Sequence, residues 1–157
     1  MRILLQRVSS ASVTVDNSVT GAIGPGLAVF VGIGREDTEE HADYLVEKIV
    51  NLRVFEDEQG RMNRSVQEIG GGLLIVSQFT LYGDVRRGRR PSFDQAAPPD
   101  EARVLYEYFL NRVKIQAKNV AAGVFQAHMI VQLVNDGPIS IFHDSIDKFG
   151  IKSQPVR

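Results

Sequence analysis

Apolar and polar positions alternate through "RILLQRVSSASVTV", and the alternation slips once, at Ser9-Ser10. Period-two patterning predicts strands over 2–8 and 12–16, with a bulge or bend at the slip. Asp16-Asn17 is a turn signal, a further strand follows at 18–23, and Gly24-Pro25-Gly26 turns the chain again. "LAVFVGIG", 27–34, is an almost unbroken apolar run, which predicts a strand covered on both faces. The period then changes. Ala42, Leu45, Val46, Ile49 and Leu52 recur at helical spacing, with Asp37 or Thr38 placed to cap the helix and Glu39 and Glu40 at its positive end. A short strand is expected at 53–55, a turn at 57–60 and irregular chain at 61–69. "LLIVSQFTL", 73–81, reads as another central strand, and 82–99 as a long polar loop. Pro98-Pro99-Asp100 opens a second helix, whose apolar face is Ala102, Leu105, Tyr106, Phe109 and Val113. Two last strands, 125–135 and 138–145, flank Asn135-Asp136-Gly137-Pro138, and the tail from Ile146 is peripheral.

The expected fold is a β-rich α/β single domain over 1–157, with two main helices packed on sheet. A chain of 157 residues buries roughly 70% of its unfolded surface, so one core suffices without staples. The net charge of −1 gives no overall attraction to nucleic acid, so an anionic partner must be met by a local patch. With no cysteine, disulfides, thiolate zinc sites and cysteine nucleophiles are excluded, and a reducing cytoplasm fits. The N-terminal apolar run ends at Arg7, too soon for a signal peptide, and no segment reaches the ~18 apolar residues of a membrane span.

Three stretches carry candidate chemistry. Ser77-Gln78-Phe79-Thr80 puts polar groups at the end of an apolar strand, where they are costly unless paired or set in a cleft. Two readings fit: a strand running out to solvent, or a pocket wall of hydroxyls, an amide and backbone N–H groups. Asn135-Asp136-Gly137-Pro138 is either a tight turn between strands or a nearly side-chain-free wall facing a ligand. "RRGRR" (Arg86, Arg87, Arg89, Arg90), followed by Phe93, is either a solvated basic loop or a phosphate-contacting one with an aromatic able to stack on a base. The histidines, His41, His128 and His143, lack metal-site spacing, although His128 and His143 would approach across a hairpin. No Walker loop or dinucleotide fingerprint follows any strand.

Together, "MRILLQRVSSASVTV", "GLAVFVGI", "KIVNLRVFEDEQGRMN", "VSQFTLYGD", "GRRPSF" and "LVNDGPISI" resemble the D-aminoacyl-tRNA deacylases, formerly D-tyrosyl-tRNA deacylases, over nearly the whole chain. The resemblance implies a homodimer with its active site at the subunit interface. It implies hydrolysis of the ester joining a D-amino acid to the terminal ribose of tRNA, with glycine mischarged on alanine tRNA as a related substrate. Gly137 and Pro138 match the family's Gly-cisPro motif, which reaches into the other subunit's pocket and rejects L-amino acids. Ser77, Gln78, Phe79 and Thr80 match its catalytic wall, Ala102 another lining position, and Met129 a position near the adenosine. Arg86, Arg87, Arg89 and Arg90 would then be tRNA contacts. The implied partners are the 3′ end of aminoacyl-tRNA and a second subunit. The implied location is the cytoplasm, and no cofactor or metal is implied. Ile139 and Ser140 stand where Val and Thr are commoner, Gln126 where Gly is expected, and Ile130 where Gln is frequent. Two other activities also fit these residues: a hydrolase using Thr80 as covalent nucleophile, and a non-enzymatic RNA-binding module on the arginine loop. A structural scaffold fits only the bulk composition.

Overall fold

A computed structural model describes residues 1–150. Its spine is β1, Arg2–Val15. The first half of β1 pairs antiparallel with β3 (Gly26–Gly32), the second half with β2 (Ser18–Ile23), and β8 (Ile130–Asp144) runs antiparallel along its other edge. The sheet continues from β3 through parallel pairings to β6 (Gly72–Ser77) and β7 (Val120–Ala122). It curls until β2 lies against β7. An added Cβ at Gly21 would sit 2.8 Å from the Ala122 carbonyl oxygen, so the close approach requires glycine.

The curl makes two apolar compartments. On the outer face Ile3, Leu5, Leu27, Val29, Leu73 and Ile75 pack under α1 (Glu39–Asn51) and α2 (Pro99–Gln116), meeting Leu45, Ile49, Phe109 and Val113. On the inner face Val8, Val13, Ala28, Leu74 and Val76 meet Met129, Val131 and Leu133. Alternate residues of β6 thus enter different compartments, which explains its unbroken apolar run. Each fully buried Leu or Ile contributes about 2 kcal/mol. Thr38 caps α1, and its N–H donates to His41 Nδ1 at 3.0 Å. Asp37 instead accepts the Gly34 N–H at 2.6 Å and the Tyr82 hydroxyl at 3.1 Å.

The β-rich α/β plan with two main helices matches the expected fold, with five local differences. Residues 2–15 form one strand, and the Ser9 slip is a register shift inside it. Residues 130–144 also form one strand on β1, not two strands of a hairpin, because both halves pair with the same neighbour. The strand expected over 73–81 stops at Ser77. Phe79–Tyr82 close a 3₁₀ turn instead, since Gln78 donates the last rung to Val31 O and the chain then has no neighbour. The two-residue β4 (Phe55–Glu56) pairs with β5 (Met62–Arg64) where irregular chain was expected. Finally β7 and the four-residue α3 (Ile146–Phe149) are too short to print a period on the sequence.

Candidate functional site

Parallel strands β3 and β6 end side by side, and ligand sites in such sheets lie beyond the carboxyl ends. There a cavity of about 670 Å³ opens, within the range of small-ligand sites. Ser77, Gln78 and Phe79 form one wall, Ala97 to Pro99 and Ala102 at the start of α2 a second, and Phe125 to Met129 a third. A smaller hollow of about 270 Å³, between Gly70-Gly71 and Gln116 to Asn119, lies at the opposite ends of the strands, and its polar side chains are only amides and a lysine.

The 3₁₀ turn gives the first wall its character. No side chain caps it, so the opening N–H groups at Phe79 and Thr80 have no partner within the turn. The Phe79 ring is 59% exposed and meets Phe93 edge-on, centroids 5.0 Å apart. Gln78 donates its side-chain amide to the Thr80 hydroxyl oxygen. Thr80 itself does not line the cavity. The one hydrogen-bond partner of its hydroxyl among the described residues is that amide, which is no base. Met129 is seated by Gly123, where a Cβ would come 2.5 Å from the Met129 sulfur.

Gly137 and Pro138 do not line the cavity of their own chain. Gly137 stands eight positions after Met129 on β8, roughly 26 Å of extended chain. Between Asn135 and Ser140 the strand bows out, five steps on β8 answering two steps from Val8 to Gln6 on β1. The Gly137–Pro138 peptide at the tip is cis, and Gly137 has φ +132°. Asn135 closes the base of the bow, its Oδ1 accepting from Ile139 N and its Nδ2 donating to Ser140 Oγ, both at 2.9 Å. From beneath, buried Arg7 donates through Nε to the Asp136 carbonyl at 3.0 Å and through Nη1 to the Val54 carbonyl at 2.8 Å. The corner therefore shows exposed main chain, held from behind.

Arg7 was not among the residues singled out from sequence. Its signal was there: Ile3, Leu5 and Arg7 share the inward parity of β1, and a charge at an inward position needs partners. His128 also enters the cavity wall from the loop before β8, while His143 stands near the other end of that strand, 3.1 Å from the Tyr44 hydroxyl. The two histidines do not meet. Among the described residues no three His, Asp or Glu side chains gather as a metal-binding group.

The arginine loop leaves the cavity lip through Phe93 and is cinched by the Asp84–Ser92 backbone pair at 2.7 and 3.0 Å. Asp84 grips Arg86 through contacts of 2.6 to 3.1 Å, and these bonds hold the Asp84 carboxyl down at about 2. Arg87, Arg89 and Arg90 point to solvent without a partner among the described residues. The outer edge of β8 is the other open surface, with Ile130, Val134 and Phe142 each more than half exposed (58, 57 and 54%). No helix among the described residues is long and apolar enough to cross a membrane.

A family model described as D-Tyr-tRNA(Tyr) deacylase matches residues 4–144. The D-aminoacyl-tRNA deacylase of Symbiobacterium thermophilum is 58% identical over 149 residues, covering 95% of this chain and 99% of that protein. That of Heliobacterium modesticaldum is 60% identical over 141 residues, covering 90% and 94%. Among solved structures, a c-Myc DNA unwinding element binding protein superposes with a TM-score of 0.88 at 41% identity, over 92% of this chain and 98% of that one. A probable eukaryotic D-amino acid tRNA deacylase shares the fold, with a TM-score of 0.78 at 20% identity over 90% and 97%.

Proposed function

The chain belongs to the D-Tyr-tRNA(Tyr) deacylase family and is a D-aminoacyl-tRNA deacylase, a hydrolase acting on aminoacyl-tRNA; from this premise we propose how it selects and cleaves its substrate. It works as a homodimer in the cytoplasm, where aminoacyl-tRNA is made and used. The 3′-terminal adenosine and its amino acid enter the cavity beyond β3 and β6, and the Gly137–Pro138 corner of the second subunit closes it. The corner's distance from its own cavity and the exposed apolar edge of β8 support this exchange.

Selection is by collision. The corner presents main-chain oxygens with almost no side chain around them. An L side chain on the bound α-carbon strikes that wall, a D side chain points away from it, and glycine has nothing to strike. Rejection of one hand leaves side-chain identity unread. It also leaves glycine mischarged on alanine tRNA open to hydrolysis.

The chemistry is acyl transfer to water. Water attacks the ester carbonyl, its proton passes by way of the vicinal ribose 2′-hydroxyl, and the C–O bond to the 3′ oxygen breaks as that oxygen takes up a proton. Free amino acid and tRNA result. The negative charge that develops on the carbonyl oxygen is met by the main-chain N–H of Phe79, the residue of the turn that lines the cavity. Such a donor is worth about 3–4 kcal/mol in hydrolases. Ser77 and Gln78 fix the ester, and Ala102 leaves room for it. Met129 lies against the adenine.

The observation that carries this reading is the uncapped turn whose first residue, Phe79, lines a cavity of substrate size. The test is hydrolysis of matched D-Tyr-tRNA and L-Tyr-tRNA, with glycyl-tRNA(Ala) alongside. Release of D-Tyr and Gly with L-Tyr spared is expected. Equal hydrolysis of both hands overturns the selection mechanism, and inertness toward all three overturns the function.

A further inference from the structure

Gln126 is the one cavity-lining residue with a side chain and positive φ, +63°. This left-handed conformation is easy for glycine and unfavourable for glutamine. A strained residue persists where its surroundings hold it, and it often marks a working position. The turn in which Ala127 N donates to Val124 O at 3.2 Å sets the Gln126 backbone, and Arg103, one residue beyond Ala102 on α2, holds its side chain: Arg103 Nη2 donates to Gln126 Oε1. The same guanidinium lies over the Phe125 ring, 4.8 Å from its centroid. Both partners of Arg103 therefore belong to the cavity wall. With one face on the ring and one N–H taken by Gln126, the guanidinium keeps further N–H groups without a partner among the described residues, and the Gln126 carboxamide NH₂ is likewise unengaged. A guanidinium has donors and no acceptor, and with the Gln126 oxygen occupied this part of the wall offers donors alone. That suits phosphate oxygens.

We propose that Arg103 binds the phosphodiester joining the last two nucleotides of the aminoacyl-tRNA 3′ end, and that Gln126 is the positioning residue that aims it. The inference rests on the aminoacyl-tRNA reading of the cavity. A substrate seated with its ester at Ser77 and its adenine at Met129 has this phosphate one sugar away from the scissile bond. Arg103 then reads the nucleic-acid part of the substrate, and the opposite wall reads the amino acid. The turn that fixes the Gln126 backbone also sets its carboxamide against the arginine.

The test compares two substrates, D-Tyr-tRNA and the phosphate-free ester 3′-O-D-tyrosyl-adenosine. In R103A, KM for D-Tyr-tRNA is expected to rise about tenfold while KM for the nucleoside ester stays within about twofold. R103K should recover part of the loss, because it keeps the charge but lacks the fork. Q126G should raise KM for D-Tyr-tRNA in the same direction while its melting temperature stays level or rises, a combination that a merely structural contact would not give. Equal losses on both substrates, or no loss on either, overturn the proposal. Binding of uncharged tRNA, followed by fluorescence anisotropy against salt, gives an arm independent of turnover. There R103A must reduce the salt slope by about 0.7, and an unchanged slope overturns the proposal. A wild-type protein inert toward D-Tyr-tRNA would instead break the functional reading, leaving the binding arm to decide on Arg103.

Discussion

Arg7 Nε donates to the Asp136 main-chain oxygen at 3.0 Å, tying an inward-facing cation of β1 to the residue just before the Gly137–Pro138 corner. The same side chain holds the Val54 carbonyl at 2.8 Å. Replacing Arg7 by Met fills the space but strands both carbonyls. R7M is expected to destabilise the protein by about 3 kcal/mol, a fall in Tm of roughly 10 °C. It should also relax discrimination between D- and L-Tyr-tRNA. Calorimetry and paired hydrolysis assays check the two effects. Full stability in R7M would mean that the corner stands without this support.

The proposed exchange of corners between subunits predicts complementation. At Gly137 a Cβ would meet Ile139 Cγ1 at 2.9 Å and Arg7 Nη2 at 3.2 Å, at a φ unfavourable for any side chain. G137A is therefore expected to lose activity at least about tenfold, and A102F to lose it by filling the cavity. Random reassortment of the two inactive proteins makes about half the dimers mixed, each with one intact site of two, so about a quarter of wild-type activity returns. No recovery after subunit exchange, followed by native mass spectrometry, would place the corner in its own subunit's site.

Thr80 offers a sharp contrast with a covalent mechanism. Its hydroxyl oxygen receives the Gln78 amide rather than facing a base. T80A is expected to retain deacylation within about tenfold, whereas removal of a true nucleophile costs several orders of magnitude. Quenched-reaction mass spectrometry of the wild type should find no acyl-enzyme.

The arginine loop is predicted to be electrostatically uneven. Arg86 is neutralised by Asp84, and Arg87, Arg89 and Arg90 are not. Alanine at 89 or 90 should lower the salt slope of tRNA binding by about 0.7 each, R86A by less. The pairing has its own pH signature. A carboxyl depressed by folding contributes above its ordinary value and loses that contribution as pH falls through its folded value. The Asp84–Arg86 tie should therefore persist through neutrality and dissolve between pH 3.8 and about 2. The Asp84 carboxyl carbon signal should titrate near 2 and move upward in R86A, where the main-chain N–H of residue 86 still donates to it.

Much of this architecture is written locally. Alternation in 2–15, the helical spacing of Ala42 to Leu52, and the continuous run in β6 each report one element and its buried faces. What stayed hidden depends on who pairs with whom. Nothing local distinguishes Asn135 to Pro138 as a hairpin turn from the same residues as a bow in one strand, because the difference lies in β1 serving both halves. The cavity was half legible: Ser77 to Phe79, Ala102 and Met129 were singled out as separate stretches, and the structure sets them around one space. Arg103 and Gln126 were harder to read. Their contact joins positions 23 residues apart. The unusual glutamine was visible as a departure from the family pattern, but its backbone conformation was not.

Because β8 runs unbroken from Ile130 to Asn135, the separation of the cavity-side start of the strand from the base of the bow is set by peptide geometry, a ruler rather than an adjustable gap. One residue inserted between them would turn every following side chain to the other face and throw both ends out of phase. Variants of this protein should tolerate insertions among the exposed residues 87–90 and tolerate none between 130 and 135.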